Sequence, residues 1–216
     1  MDKTNERENL DVLLNCLARL DNFKSNSITD SDKPDFIITC GDKKIGVETT
    51  WSVDQEVVRA GKLHFSQCPN LWIDGTRLKD RESRRTNMEI IVDITNQAGP
   101  WKKVEDDWLD WKNKIAARLK SKRKKYNQSG FQIFDENWLL ITDFPPLPKI
   151  PLIQKRALRA LTIVFSEALE CPRDFDTVFF RSGQYLFRWH KKELQLSDIA
   201  IVSQLTLAEN SPPLCK

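Results

Sequence analysis

Pro34-Asp35-Phe36-Ile37-Ile38-Thr39-Cys40-Gly41-Asp42-Lys43-Lys44-Ile45-Gly46-Val47-Glu48-Thr49-Thr50 is the stretch from which the rest of the chain can be read. Two runs rich in β-branched residues flank Gly41-Asp42, the signature of a β-hairpin. A two-residue turn there pairs Cys40 with Lys43 and, counted back along both strands, sets Asp35 opposite Glu48. A four-residue loop would shift the pairing and leave the two acids as diagonal neighbours on the same face. Side chains alternate along a strand, so Phe36, Ile38, Ile45 and Val47 form the other face, which is apolar and suited to a core.

Like charges set opposite each other, with Cβ atoms roughly 5 Å apart, are unfavourable in a sheet unless something neutralises them. A divalent cation would do so. Oxygen-only ligands suit Mg2+ or Mn2+, which take one or two carboxylates and keep waters that a phosphate can replace. Gly46, beside Glu48 on the acid face, leaves room there on this reading. The alternative is a hairpin whose two acids simply point into water, and geometry alone leaves both open.

Pro34-Asp35, followed twelve residues on by Gly46-Val47-Glu48-Thr49-Thr50, resembles the signature of the PD-(D/E)XK nuclease superfamily. The resemblance implies an α/β, restriction-endonuclease-like fold: a mixed sheet flanked by helices, with an αβββαβ core. It implies Mg2+- or Mn2+-dependent hydrolysis of a nucleic-acid phosphodiester, with Asp35, Glu48 and the Thr49 carbonyl as metal ligands. The superfamily's lysine two residues beyond the second acid is replaced here by Thr50, which shares the Glu48 face but carries no charge. Some members supply that lysine from another element, commonly the following helix. Some relatives also place a metal-directed glutamate on the first helix. Of Glu6 and Glu8, the expected one is Glu8, against the plain reading of an acid favoured in a helix's first turn.

Outward from the hairpin, Leu10, Leu13, Leu14, Leu17 and Leu20 recur at spacings of three and four and predict an amphipathic helix over 5–22. Residues 23–33 are polar and read as a loop. Ser52 can cap a helix over about 53–67, stopped by Pro69. Residues 70–100, with Arg77, Lys79, Arg81, Arg84 and Arg85, read as a candidate insertion with a basic surface, in which 90–94 is either a strand or a helix end.

The longest helix is expected over about 102–126, where Val104, Trp108, Trp111, Ile115, Leu119 and Tyr126 trace one stripe. With Ile115 as zero and about 100° per residue, Lys122 falls roughly 20° from that stripe and Arg118 roughly 60°. A lysine on an apolar stripe either snorkels past the helix end or meets an anion. Relatives with a displaced lysine make Lys122 the expected replacement for the charge missing at Thr50, with Arg118 and Lys114 behind it.

Between Lys112 and Lys125 there are eight basic residues and no acid, against a formal net charge of +3 for the chain. Lys114, Arg118, Lys122 and Lys125 are the expected phosphate contacts, because cations on nucleic acid gain affinity by counterion release. A solvated helix face is the ordinary alternative. A continuous apolar run over 137–143 predicts a strand buried on both faces, 151–170 a further helix, and 176–182 with 184–189 a second hairpin about Gly183.

The chain of 216 residues, 40% hydrophobic with seven Trp and eleven Phe, is expected to form one domain. No apolar run is long enough for a membrane span and the N-terminus has no apolar leader segment, so a cytoplasmic protein is expected. Five scattered cysteines argue against a disulfide framework or a zinc site, and His64 with Cys68 lacks two further ligands.

The preferred reading is a metal-dependent deoxyribonuclease, an endonuclease of restriction, repair or anti-phage defence type. Asp35 and Glu48 would hold the metal and Lys122 would orient or activate water. RNA stays open as a substrate, and a homodimer or partner subunit would suit a double-strand cut. The alternatives are a catalytically inactive nucleic-acid-binding module and a protein-interaction module.

Overall fold

The computed structural model describes residues 3–52, 59, 63, 66–67, 86–96, 104–143, 159–166, 174–183, 185–191 and 195–201. Its strands are β1 (Ser27–Asp30), β2 (Phe36–Cys40), β3 (Lys43–Trp51), β4 (Glu136–Thr142), β5 (Thr177–Ser182), β6 (Tyr185–His190) and β7 (Gln195–Ile201), in one sheet whose spatial order follows the chain. The helices are α1 (Lys3–Leu20), α2 (Asn87–Asn96) and α3 (Val104–Tyr126), with a further helical stretch over 159–166. The architecture is mixed α/β. β3, β4 and β5 run parallel at the centre, and antiparallel pairs complete both edges.

The register of the first hairpin follows from its turn. Cys40 pairs with Lys43 and Phe36 with Val47, and Gly41 takes φ +61°, a backbone conformation that glycine adopts without a steric penalty. One step further, the same register places Asp35 opposite Glu48. The second hairpin turns at Gly183, φ +56°.

Alternation along the central strands divides the core in two. On one face, Leu10, Leu13, Leu14 and Leu17 of α1 pack on Phe36, Ile38, Ile45, Val47, Trp138, Leu140 and Phe179. On the other, Trp111, Ile115, Leu119 and Tyr126 of α3, with Leu161, Val164 and Phe165, cover Leu139, Ile141, Val178 and Phe180. β4 supplies both faces because it lies between two parallel neighbours, and its residues 137–142 are all buried. The stripe on α3 is buried from Trp111 onward. Glu48 extends from the same face as Leu139, beneath α3.

The structure departs from the sequence reading at several points. Residues 27–30, expected as loop, form edge strand β1. It is short, polar and bonded on one side only, so no apolar alternation marked it. Within the expected insertion, 87–96 is helical, with its start closed by a capping box. The Thr86 amide and hydroxyl donate to Glu89 Oε2 at 2.6 and 2.9 Å, and the Glu89 amide donates to Thr86 Oγ1 at 3.3 Å. β7 has no counterpart in the sequence reading. Most of the helix expected over 53–67, His64, Cys68, and the side chains of Val104 and Trp108 lie outside the described residues.

Candidate functional site

Glu48 stands in the middle of the sheet with its side chain 0% exposed. An ionised carboxylate at such a place needs partners, because burial removes its hydration. Two come from α3. Lys122 Nζ and Lys125 Nζ each donate to Glu48 Oε1 at 2.7 Å, and Lys122 Nζ also reaches the Thr49 carbonyl at 2.8 Å. The other oxygen, Glu48 Oε2, is buried and has no hydrogen-bond partner among the described residues. Both ammonium groups thus crowd one oxygen and leave its twin bare.

Lys122 is the lysine that intruded on the apolar stripe of α3, and its neighbourhood accounts for the intrusion. Its stem lies along the helix-sheet interface, with the side chain 18% exposed, while its tip meets a buried anion. Lys125 is one helical turn further and shares that side of the helix. Burial alone would push the Lys125 pKa down. The hydrogen bond and charge of Glu48, with Asp35 and Asp32 adding, outweigh this and raise it. Lys125 is therefore part of the acid cluster as well as of the basic stretch. Lys114 and Arg118 are half-buried on the same helix, and Lys122 and Lys125 are the lysines that reach Glu48.

Asp35 is also buried, but its carboxylate turns to Thr49. Oδ2 accepts the Thr49 amide at 2.7 Å and the Thr49 hydroxyl at 3.1 Å, which pins the start of β2 to the end of β3. Lys3 of α1 closes the other side, with Nζ 3.9 Å from Asp35 Oδ1 and donating to the Asp35 and Ser31 carbonyls at 3.2 and 3.0 Å. Opposition in register thus brings the two acids to one place, and each carboxylate finds its own counter-groups there.

The first helix contributes Glu6 rather than Glu8. Glu6 is buried and pairs with Lys3 at 3.4 Å, whereas Glu8 is exposed. Desolvation and, next, the charge of Asp35 raise the Glu6 pKa. Helical spacing explains the correction: Glu6, Leu10, Leu13 and Leu17 follow one another by four, three and four, so Glu6 continues the core stripe while Glu8 lies about 200° round from it.

Gly46 also differs from the sequence reading. A Cβ at Gly46 would lie 2.7 Å from Phe134 Cδ2 and 2.9 Å from Pro34 Cγ, so the missing side chain admits those two rings and leaves no open room. Thr50 is buried beyond Glu48, its hydroxyl donating to the Trp51 carbonyl at 3.3 Å.

Two further buried acids hold α3 over the site. Asp143, at the end of β4, accepts the Ser52 hydroxyl at 2.7 Å, the Ser182 hydroxyl at 2.8 Å and Trp111 Nε1 at 3.0 Å. This ties the ends of β3, β4 and β5 to α3. Asp174 pairs with Arg123 Nε at 3.0 Å, and its burial, only partly offset by Arg123 and Lys191, pushes its pKa up to about 6.

The donor set around Glu48 consists of oxygens, which suits a hard cation, and the bare Glu48 Oε2 supplies a vacant acceptor. Among the described residues, no three His, Cys, Asp or Glu side chains are gathered closely enough to hold a metal ion by themselves. A cation here would rest on two carboxylates, the Thr49 carbonyl and water. No described helix is long and apolar enough to cross a membrane. No family model, no curated protein and no solved structure matches the chain.

Proposed function

We propose that this chain is a metal-dependent nuclease of the PD-(D/E)XK type that hydrolyses phosphodiester bonds of DNA. The observation that supports this reading most is the meeting of Glu48 with Lys122 and Lys125. A strand acid and a helix lysine 74 residues apart are brought to 2.7 Å in the sheet's interior, beside Asp35. The chain order agrees, with a helix, three antiparallel strands, further helices and then a strand parallel to the third.

On this reading Asp35, Glu48 and the Thr49 carbonyl hold Mg2+ or Mn2+, which lowers the pKa of a bound water and offsets charge on the phosphate. Asp35 is oriented by its two hydrogen bonds from Thr49. Lys122 supplies the positive charge that Thr50 lacks, stabilising charge on the phosphate or orienting the attacking water. Lys114, Arg118 and Lys125 extend a basic track along α3 for the flanking phosphates. A restriction or anti-phage defence role fits an enzyme of this kind, and pairing of two copies or a partner subunit would place two such sites on a duplex.

The test is cleavage of supercoiled plasmid and of single-stranded DNA with Mg2+, Mn2+ or EDTA, comparing native protein with Glu48→Gln and Lys122→Ala. Cleavage should require metal, and Glu48→Gln should lower it by at least about a hundredfold, as loss of a group stabilising the transition state does. Metal-independent cleavage, or equal cleavage by the Glu48→Gln protein, would refute the reading. DNA binding without cleavage, persisting in EDTA, would leave an inactive binding module on the same scaffold.

A further inference from the structure

The arrangement on Glu48 is electrostatically closed. One buried carboxylate faces two ammonium groups, both on Oε1, and one of them also takes the Thr49 carbonyl. Together with the Asp35 carboxylate, these are the groups that the nuclease reading assigns to the metal. A divalent cation arriving alone would find the Glu48 carboxylate already matched by two ammonium groups, with Asp35 left as the other carboxylate of the site, in an interior where water screens little.

We propose that Lys122 and Lys125 form a latch over Glu48. In the free protein the Lys122 ammonium fills the cation position between Glu48 and Thr49, and a nucleic-acid phosphate draws both lysines away, so that metal and nucleic acid bind cooperatively. The inference rests on the nuclease reading and adds to it an order of assembly.

Three features support it. The lysine side chains are 18% and 32% exposed while Glu48 is 0% exposed, so the lysines are the members of the cluster that solvent reaches. Each ammonium is on a long stem and can exchange a carboxylate for a phosphate by rotating about side-chain bonds, with α3 itself still. Among the described residues Glu48 Oε2 has no hydrogen-bond partner, so the carboxylate is held but keeps an acceptor for an incoming cation. Because coupling between two ligands is reciprocal, the metal must strengthen nucleic-acid binding by the factor that nucleic acid strengthens metal binding.

Binding of Mn2+ can be followed by the paramagnetic resonance of the free ion, on the protein alone and with a short DNA duplex carrying phosphorothioate linkages to slow cleavage. The duplex should raise the Mn2+ affinity of native protein about tenfold, within the usual range of coupling between sites. Lys122→Met keeps the apolar stem and removes the ammonium. It should raise Mn2+ affinity of the free protein and shrink the effect of the duplex, and Lys125→Met should do the same more weakly and serves if the first variant does not fold. Mn2+ bound equally with and without duplex, and unchanged in both variants, would overturn the latch and leave the nuclease reading standing. Mn2+ bound by none of these proteins, with or without duplex, would overturn both.

Discussion

Glu48 and Asp143 are two buried carboxylates on neighbouring parallel strands of one sheet, and they are satisfied in opposite ways. Among the described residues, Asp143 accepts neutral donors from Ser52 just after β3, Ser182 of β5 and Trp111 of α3, with both oxygens used. Glu48 is met by two cations from a single helix, on one oxygen. Neutral hydroxyl and indole donors fixed by three separate elements leave Asp143 little to exchange, which suits a staple. Long cationic side chains on one oxygen can be exchanged for other cations, which suits a site.

The largest expected effect breaks that comparison on its structural side. Asp143→Ala leaves three donors around a buried gap, each costing about 1–3 kcal/mol, and should lower unfolding stability by roughly 4 kcal/mol in urea titrations. Glu48→Gln should cost less than half as much, because its partners are long side chains that can turn to water. An equal loss at both positions would mean that Glu48 is a staple too.

A smaller effect separates the two regions. Gly46→Ala must push aside Phe134 and Pro34, an overpacking of the kind that costs about 1–3 kcal/mol. It acts next to Asp35 and far from the Asp143 cluster, so its stability loss should add to that of Asp143→Ala within about 0.5 kcal/mol in the double variant.

The smallest effect sharpens the comparison with a third case, Asp174, which is paired with Arg123 and lies within the field of Lys191. Its folded pKa of about 6 lies above the ordinary 3.8. The folded state therefore favours the protonated form, and the group's contribution to stability is full below about 4 and is lost as pH rises to about 6. Asp174→Asn removes this loss, so the variant should gain on native protein progressively across that window. A pH-independent difference between the two in chemical unfolding would show that Arg123 neutralises Asp174 fully.

Much of the site could be read along the chain. The Gly41-Asp42 turn and two-residue alternation set Asp35 opposite Glu48, since both depend on neighbours in sequence. The stripe on α3 made Lys122 conspicuous for the same reason. From the basic stretch alone Lys125 reads as a phosphate contact, although its spacing of three from Lys122 puts it on the same side of the helix. Glu6 could have been preferred over Glu8 from its spacing to Leu10 alone. No local signal announced Lys3, the Phe134 ring against Gly46, or the turn of Asp35 to Thr49, because each depends on segments arriving from elsewhere.

By itself the sequence determined periodicities: which side chains share a face of β2 and β3, which form the stripe of α3, and which acids and lysines break those patterns. Short-range geometry decides these, and it acts before the chain is compact. The tertiary structure decided who meets. Pairing β4 parallel to β3 brings α3 back across the same sheet face, and only that crossover sets Lys122 and Lys125, 74 and 77 residues downstream, on one oxygen of Glu48. Burial then makes the meeting consequential, because a carboxylate removed from water must be neutralised by whatever the packing places beside it.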